Sequence, residues 1–234
     1  MAENESDARS GSSASSTCGL EYGEDDSLSA RNAMMVNNKW LSDVTFLVGP
    51  EKQRIYAHKL RLVTASRYFH ILFFGNFAEA KLDEIELKDE DPAMFLTILR
   101  LIYGAHVDVD FDNIRQIYDQ MQKYLLPSSC YKLLIDCWKK LLLKDTVMQV
   151  LRENEYYKFK ALDEMCLRFV RDDPLHYFEK DDFTGISKEG MLKILGLQRI
   201  NCTNDQLHLA LEKWKLANPE SDSNELSSVL DATA

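Results

Sequence analysis

The residues best suited to chemistry are a neighbouring histidine and lysine, His58 and Lys59, with an aspartate shortly upstream, Asp43. A catalytic histidine needs a nucleophile or a proton partner beside it in a cleft. The sequence contains no nucleophile elbow, no HExxH and no phosphate-binding loop of the GxxxxGK type. We therefore interpret His58 as a structural residue at the start of a helix, and we predict no catalytic residue and no enzyme.

The five cysteines also argue against a reactive or metal-binding centre. Their number is odd and no two of them form a CxxC pair. A disulfide framework or a zinc site is therefore not expected, and we predict neither a cofactor nor a metal. Thiols of this kind favour a reducing compartment, so we expect the protein in the cytoplasm and leave the nucleus open.

The charge of the chain excludes two classes of partner. The formal net charge is −10 at pH 7, whereas nucleic acids and anionic membrane surfaces attract concentrated positive charge. The sequence begins without an apolar run after a basic start, so a secretory signal is not expected. It also lacks the run of about 18 apolar residues that a membrane span needs. We therefore expect no nucleic-acid partner and no membrane partner.

Alternating apolar residues predict a β-hairpin in the first half of the chain. "DVTFLVG" and "QRIYA" form its strands, and "DEIEL" is a further short strand. The stretch after "QRIYA" predicts one long helix, because Leu62, Ser66, Phe69 and Phe73 recur at helical spacing. Gly75 with the following asparagine is expected to end that helix as a left-handed cap.

After the third predicted strand, the rest of the folded chain is predicted to be entirely helical. "DEDPAMFLTILRLIYG" begins this run, with Asp91 as the N-cap, Pro92 in the first turn and Gly104 at the end. Further on, Asp145 and Ser187 are expected to cap helices, and Thr203 is expected to form a capping box with Gln206. Strands with helices followed by helices alone indicate an α+β domain and then an all-α region.

Composition sets the outer boundaries of the folded part. Serine, glycine and acidic residues dominate the start, and such a segment cannot bury enough apolar surface to offset its ordering entropy. We predict a disordered tail at 1–28, an α+β domain at 29–126, a helical domain at 127–218 and a flexible tail at 219–234.

An ordered series of motifs resembles the BTB (POZ) domain family. These motifs are "SDVTFLVG", the helix entry "AHK", a Ser-x-x-Phe at Ser66 and Phe69, and the acid-flanked strand and helix in "EIELKDEDPAMF". The helical remainder is similar to a BACK domain through "YLLPSSCYKLLIDCW", "ALDEMCLRFV" and "GISKEGMLKIL", and we expect this domain to be shortened. "MMVNNKWLSDV" and "QRIYAHK" most resemble a group of cytoplasmic BTB–BACK proteins. The resemblance implies a small sheet with helices followed by a helical domain.

The resemblance implies a homodimer with its interface at the start of the domain. Its predicted residues are Met34, Met35, Trp40, Leu41, Asp43 and Lys59. Large apolar groups in a short leading segment would be buried by the second chain, and the acid and base would line a charged pocket near the two-fold axis. The alternatives are packing on the chain's own core and an ordinary salt bridge within one chain.

The resemblance also implies contact with the N-terminal domain of cullin-3. The predicted residues are Phe77 and Glu79, which match a hydrophobic-x-acid motif, together with Tyr124 and Leu125. The alternative is a surface loop without a partner. We thus expect an adaptor that links an unknown protein substrate to a cullin-3 RING ubiquitin ligase. The competing hypothesis is a homodimeric scaffold without ligase function, or a transcription-associated interaction protein.

Overall fold

The computed structural model describes Gly23, residues 27–76, residues 82–220 and Leu226. The chain divides into two compact units: residues up to 107 with 123–125, and residues 108–122 with those from 126 onward. Among the described residues, no helix is both long and apolar enough to cross a membrane. The same residues contain no group of three or more histidine, cysteine or acidic side chains that could hold a metal ion.

The first unit is built on a three-stranded sheet in the order β2–β1–β3. Its strands are β1 (Val44–Val48), β2 (Gln53–Ala57) and β3 (Glu84–Leu87). Strand β1 is antiparallel to β2, with Phe46 opposite Ile55, and parallel to β3, with Phe46 opposite Ile85. The predicted hairpin and the predicted third strand are therefore confirmed.

Four helices accompany this sheet in the described part of the first unit. They are α1 (Leu28–Ala33), α2 (Lys59–Ala65), α3 (Arg67–Phe74) and α4 (Pro92–Tyr103). Helix α4 begins and ends as predicted: Asp91 Oδ1 accepts a hydrogen bond from the Met94 N–H at 2.7 Å, and Gly104 is left-handed with φ +72°. A glycine suits that position because it carries no Cβ to clash.

The prediction of one long helix after β2 is wrong. Ser66 has extended backbone angles, φ −144° and ψ 124°, so α2 ends there and α3 begins. Its hydroxyl accepts a hydrogen bond from the Phe69 N–H at 3.2 Å and donates one to the Tyr124 carbonyl at 2.6 Å. The left-handed cap at Gly75 is wrong as well, because its φ is −75°.

An aromatic cluster fills the core of the first unit. Phe46 of β1 lies edge-on to Phe69 and Phe95, with ring centroids 5.9 and 5.0 Å apart. Phe69 stacks on Phe73 at 6.1 Å, and all four rings are buried. The side chains of α3 and α4 are thus fixed against the central strand by area burial and by favourable ring geometry.

The second unit is helical throughout its described residues. Its α-helices, the first of which ends at a residue of the first unit, are α5 (Ile114–Lys123), α6 (Lys132–Leu141), α7 (Val147–Tyr157), α8 (Lys160–Asp172), α9 (Pro174–Phe178), α10 (Lys188–Leu195) and α11 (Asn204–Ala217). Trp138 and Trp214 are its largest fully buried side chains. The predicted fold class, an α+β domain followed by a helical one, is confirmed.

Local capping signals were mostly predicted correctly in this unit. The Ser187 hydroxyl accepts from the Gly190 N–H at 3.1 Å, and Thr203 forms the expected capping box with Gln206. Asp145, however, does not cap α7, because Thr146 occupies the N-cap position. The Asp145 carboxylate instead accepts a hydrogen bond from the Lys180 ammonium at 2.7 Å, a contact between residues far apart in sequence.

Most of both predicted tails lies outside the described residues. Within 1–28 the structure describes Gly23, Ser27 and Leu28, and Ser27 caps α1, whose first residue is Leu28. Within 219–234 it describes residues 219–220 and Leu226. The order of the remaining residues stays a prediction.

Candidate interaction surfaces

The predicted acid and base, Asp43 and Lys59, meet through the main chain. Asp43 Oδ1 accepts a hydrogen bond from the backbone N–H of Lys59 at 2.6 Å, at the start of α2. The Lys59 ammonium lies 3.8 Å from Asp83 Oδ1 and 5.6 Å from the centre of the Phe73 ring. In this chain Asp43 therefore caps a helix and does not form the side-chain salt bridge considered above. Its place in a dimer interface stays a prediction.

His58 has the structural role that the sequence favours. Its side chain is buried, and the ring Nδ1 lies 2.8 Å from the Tyr103 hydroxyl while Nε2 lies 2.8 Å from the Trp40 carbonyl oxygen. The backbone N–H of His58 also donates to the Tyr103 hydroxyl at 2.9 Å. Burial raises the pKa of Tyr103 to about 12, so this hydroxyl keeps its proton at neutral pH. His58 thus joins α4 to the leading segment.

The leading segment keeps part of its apolar surface exposed. Met34, Met35 and Trp40 are half-buried, and Leu41 is 68% exposed. Packing on the chain's own core, the alternative considered above, accounts only for the buried part of these side chains. The remaining surface is available to a partner, so the predicted interface is compatible with this structure and stays a prediction.

Tyr124 and Leu125 are neighbours with opposite exposures. Tyr124 is fully buried, and its ring stacks on Phe69 with centroids 5.4 Å apart. Leu125 is 49% exposed and has a left-handed backbone with φ +48°. The side chain of Tyr124 therefore contributes no surface in this conformation, whereas Leu125 contributes an apolar one.

An ion pair also holds the segment 123–125 in place. The Lys123 ammonium forms an ion pair with Glu90, whose side chain is 8% exposed. Burial, with the nearby charge of Glu90, raises the pKa of Tyr124 above its ordinary range. The phenol is thus uncharged across the physiological range, and the segment 123–125 is held by ring stacking, by this ion pair and by the hydrogen bond from Ser66.

Phe77 and Glu79, the predicted recognition motif, lie outside the described residues. Helix α3 ends at Phe74, shortly before them in the sequence, and two of its apolar side chains are exposed. Phe74 is 69% exposed and Ile71 is 40% exposed, whereas Phe73 between them is buried. Helix α3 thus presents an apolar outer face, and the predicted motif follows it in the sequence.

Neither this outer face nor the exposure of Leu60 in α2 was predicted from the sequence. Leu60 is 71% exposed. For α3 the sequence does contain a pattern that indicates the outer face, because Phe69 and Phe73 define the buried side by their spacing of four. Ile71 and Phe74 then fall on the opposite side, at a spacing of three. An apolar pair on both sides of a short helix indicates a second contact surface.

The second unit contains an open groove between α9 and α11. It has a volume of about 500 Å³ and its apolar lining comes mainly from Leu175, Phe178, Leu209 and Ala210. Leu209 is 73% exposed. The Lys213 ammonium at its edge donates to the carbonyls of Phe178, Glu179 and Lys180, which ties α11 to the end of α9.

Comparisons with known proteins agree with this arrangement. A model of the BTB/POZ domain matches residues 33–137, and a model described as BTB And C-terminal Kelch, the BACK domain, matches residues 147–233. BTB/POZ domain-containing protein 3 of Homo sapiens is 42% identical over 99 residues, which cover 42% of this chain and 19% of that protein. BTB/POZ domain-containing protein 6 of Xenopus laevis is 26% identical over 189 residues, which cover 80% of this chain and 35% of that protein.

The fold and the two domain matches place the chain in the BTB/POZ class. The chain belongs to the BTB–BACK family, with a BTB/POZ domain followed by a BACK domain. The family generally consists of non-catalytic adaptors and scaffolds. The chain spans about a third or less of the length of the relatives described above, 35% and 19%. The BTB match extends past the predicted boundary at 126, and that boundary stays a prediction.

Proposed function

We propose that this chain is a dimeric adaptor that links a protein substrate to a cullin-3 RING ubiquitin ligase. The observation that carries the proposal is the apolar outer face of α3. Phe74 is 69% exposed and Ile71 is 40% exposed, directly before Phe77 and Glu79 in the sequence. The succession of BTB/POZ and BACK domains supports it, because such proteins are commonly linked to cullin-3. Ubiquitin transfer would be catalysed by the complex.

Each predicted cullin contact has a distinct physical role in this proposal. Phe77 supplies a desolvated apolar anchor, and Glu79 orients the partner by charge-assisted hydrogen bonds. Leu125 adds apolar area, since it is 49% exposed. Tyr124 acts from inside, because its fully buried ring holds Leu125 in place and does not reach a partner.

The adaptor would work as a homodimer in the cytoplasm. BTB domains commonly homodimerise, and the half-buried Met34, Met35 and Trp40 provide apolar surface for a second copy. The cysteines within the described ranges are free thiols, the state that a reducing compartment maintains.

Calorimetry with the cullin-3 N-terminal domain tests the proposal. Phe77→Ala should weaken binding about 30- to 1000-fold, as expected for an anchor near the interface centre. Phe74→Ala and Leu125→Ala should each weaken binding by a smaller factor than Phe77→Ala. Glu79→Ala should also weaken binding less than Phe77→Ala, because a partly solvated charge adds little net affinity. Leu216→Ala is the matched control, because Leu216 is an 84% exposed leucine of α11 outside the proposed surface.

Two outcomes would redirect the proposal. A wild-type dimer that shows no measurable binding would favour the scaffold or transcription-associated hypothesis. Tight binding that Phe77→Ala and Phe74→Ala leave unchanged would retain the ligase function but assign its contact to other residues.

A further inference from the structure

The turn before the first strand has an unfavourable backbone. Within residues 37–41, here called the Leu41 turn, Asn37 has φ +51° and Leu41 has φ +56°. Asparagine tolerates the left-handed region, but for leucine the Cβ approaches the following carbonyl oxygen too closely. Such a conformation persists only where neighbouring contacts enforce it. Contacts from other residues must therefore hold Leu41 in this conformation.

Burial within the chain does not compensate for this strain. The Leu41 side chain is 68% exposed, so the left-handed backbone directs a large apolar group outward. An apolar side chain that is held outward gains stabilisation only when a partner covers it. The neighbouring Met34, Met35 and Trp40 are half-buried, so the exposed apolar surface continues along the same segment.

The contacts that enforce the turn come from His58 and Tyr103. The Tyr103 hydroxyl accepts from the backbone N–H of His58 at 2.9 Å, which leaves its single hydrogen for His58 Nδ1 at 2.8 Å. The ring hydrogen of His58 then lies on Nε2 and points at the Trp40 carbonyl oxygen, 2.8 Å away. Every donor in this chain of hydrogen bonds has an acceptor, and it ends on the residue before Leu41.

Further hydrogen bonds hold the turn from its other side. Asn38 Oδ1 accepts from the Trp40 N–H at 2.9 Å, and Asn37 Oδ1 accepts from the Tyr56 N–H at 3.0 Å. Both polar groups of the Trp40 backbone are thus engaged. Hydrogen bonds from polar side chains therefore fix the path of the backbone into Leu41.

We propose that His58 and Tyr103 are positioning residues for self-association: they hold the Leu41 turn so that Leu41 packs against a second copy of this chain. The inference rests on the homodimer of the proposed function. It adds that the buried histidine–tyrosine pair sets the affinity of that dimer through the backbone of Trp40. The occupant is a second copy of this chain, because BTB domains commonly homodimerise and the exposed Leu41 lies in the same segment as the half-buried Met34, Met35 and Trp40. A two-fold interface brings the same segment of both chains to the contact.

Sedimentation of the full-length chain across a concentration series measures the effect on the dimer dissociation constant. Leu41→Ala should raise that constant roughly tenfold or more, as for an apolar contact residue. Tyr103→Phe keeps the ring but removes the hydroxyl, and it should raise the constant by about three- to tenfold through a loosened turn. Tyr177→Phe is the matched control, a buried hydroxyl of the second unit without a hydrogen-bond partner among the described residues, and it should change nothing.

A double-mutant cycle separates positioning from general destabilisation. If Tyr103 acts through Leu41, Tyr103→Phe should have almost no further effect in a Leu41→Ala background. Asn38→Ala loosens the same turn without entering the core, so it should behave like Tyr103→Phe and serves if that variant does not fold. Circular dichroism confirms that each variant is folded at the temperature of measurement.

The outcomes distinguish this inference from the proposed function. If the wild type is a dimer but neither Tyr103→Phe nor Asn38→Ala changes the dissociation constant, the inference is wrong and the homodimer stands. The same holds if the effects of these variants add fully to that of Leu41→Ala. A monomeric wild type at micromolar concentration would overturn the homodimer itself, and the inference with it.

Discussion

Tyr103 and Tyr177 are both 1% exposed, one in each compact unit, but their hydroxyls have different surroundings. The Tyr103 hydroxyl accepts one hydrogen bond from His58 and lies 2.8 Å from the His58 ring. The Tyr177 hydroxyl has no hydrogen-bond partner among the described residues. A buried polar group without a partner loses its hydration without a replacement. The two rings are equally buried, but the two hydroxyls therefore contribute unequally to the stability of the protein.

Buried polar groups therefore contribute most to this structure where they determine the path of the backbone. Tyr103 and His58 fix the chain at Trp40, and Ser66 fixes the segment at Tyr124. Tyr177 fixes no backbone group through its hydroxyl, so it stabilises the second unit through its buried ring. A residue of the second unit, Asn154, should behave like Tyr103 in this respect.

Asn154 should give the largest effect, because it determines a backbone path within the second unit. Its amide donates to the Phe159 carbonyl at 2.9 Å and to Asp163 at 2.8 Å, and it accepts from the Phe159 N–H at 3.0 Å. Lys158 at this corner is left-handed, with φ +54°. Asn154→Ala should lower the free energy of unfolding by about 2–4 kcal/mol, since it removes three hydrogen bonds and leaves the partly buried N–H of Phe159 without its acceptor.

Urea unfolding followed by tryptophan fluorescence measures this loss, because the buried Trp138 and Trp214 belong to the same unit. Gln149→Ala is the control, an exposed position on the same helix, and should change stability by less than about 0.5 kcal/mol. Equal effects of the two variants would refute the special role of Asn154 and restrict the comparison to the first unit.

Tyr103→Phe should give the next largest effect. The substitution leaves the backbone N–H of His58 without its acceptor and the ring Nδ1 without its partner. We expect a loss of about 1–3 kcal/mol at pH 7, as for other buried donors that lose a partner. Thermal unfolding by circular dichroism checks this value. An unchanged melting temperature would show that water replaces the hydroxyl without loss.

Alkaline pH should act on the two tyrosines alike, because the pKa of each is raised by burial. Burial raises the pKa of each from 10.0 to about 12, so the native state keeps both protons where the unfolded chain has lost them. This stabilisation is complete below about pH 10 and disappears as the pH approaches 12. Tyr103→Phe and Tyr177→Phe should therefore each flatten the loss of stability between those values, Tyr103→Phe by roughly 1–3 kcal/mol. Unfolding curves at pH 8 to 12 measure it, and parallel declines in all three proteins would contradict the expectation.

The sequence predicted best the features that depend on neighbouring residues. The capping box of Thr203 and Gln206 and the left-handed end of α4 at Gly104 need only local geometry, and both were confirmed. The single long helix failed at Ser66 because its extended backbone is supported by a hydrogen bond to Tyr124, 58 positions away. No local pattern indicates a bond of that kind.

The candidate surfaces were predictable only in part for the same reason. The spacing of Phe69 and Phe73 was sufficient to place Ile71 and Phe74 on the outer face of α3. The bond between Asp43 and the Lys59 N–H was not predictable, because it depends on how β1 and α2 meet. Charge pattern alone suggests that such residues pair side chain to side chain, whereas the structure uses a backbone donor that the sequence does not distinguish.

Tyr177→Phe should give the smallest effect at pH 7 and is the sharpest test of the comparison. The hydroxyl is buried without a hydrogen-bond partner among the described residues, so its removal ends an uncompensated loss of hydration. The ring area that stabilises the second unit is kept. We expect a change within about 0.5 kcal/mol, or a small gain, in urea unfolding at pH 7. A loss as large as that of Tyr103→Phe would mean that the Tyr177 hydroxyl is satisfied in solution, for instance by a bound water, and that the two tyrosines are equivalent.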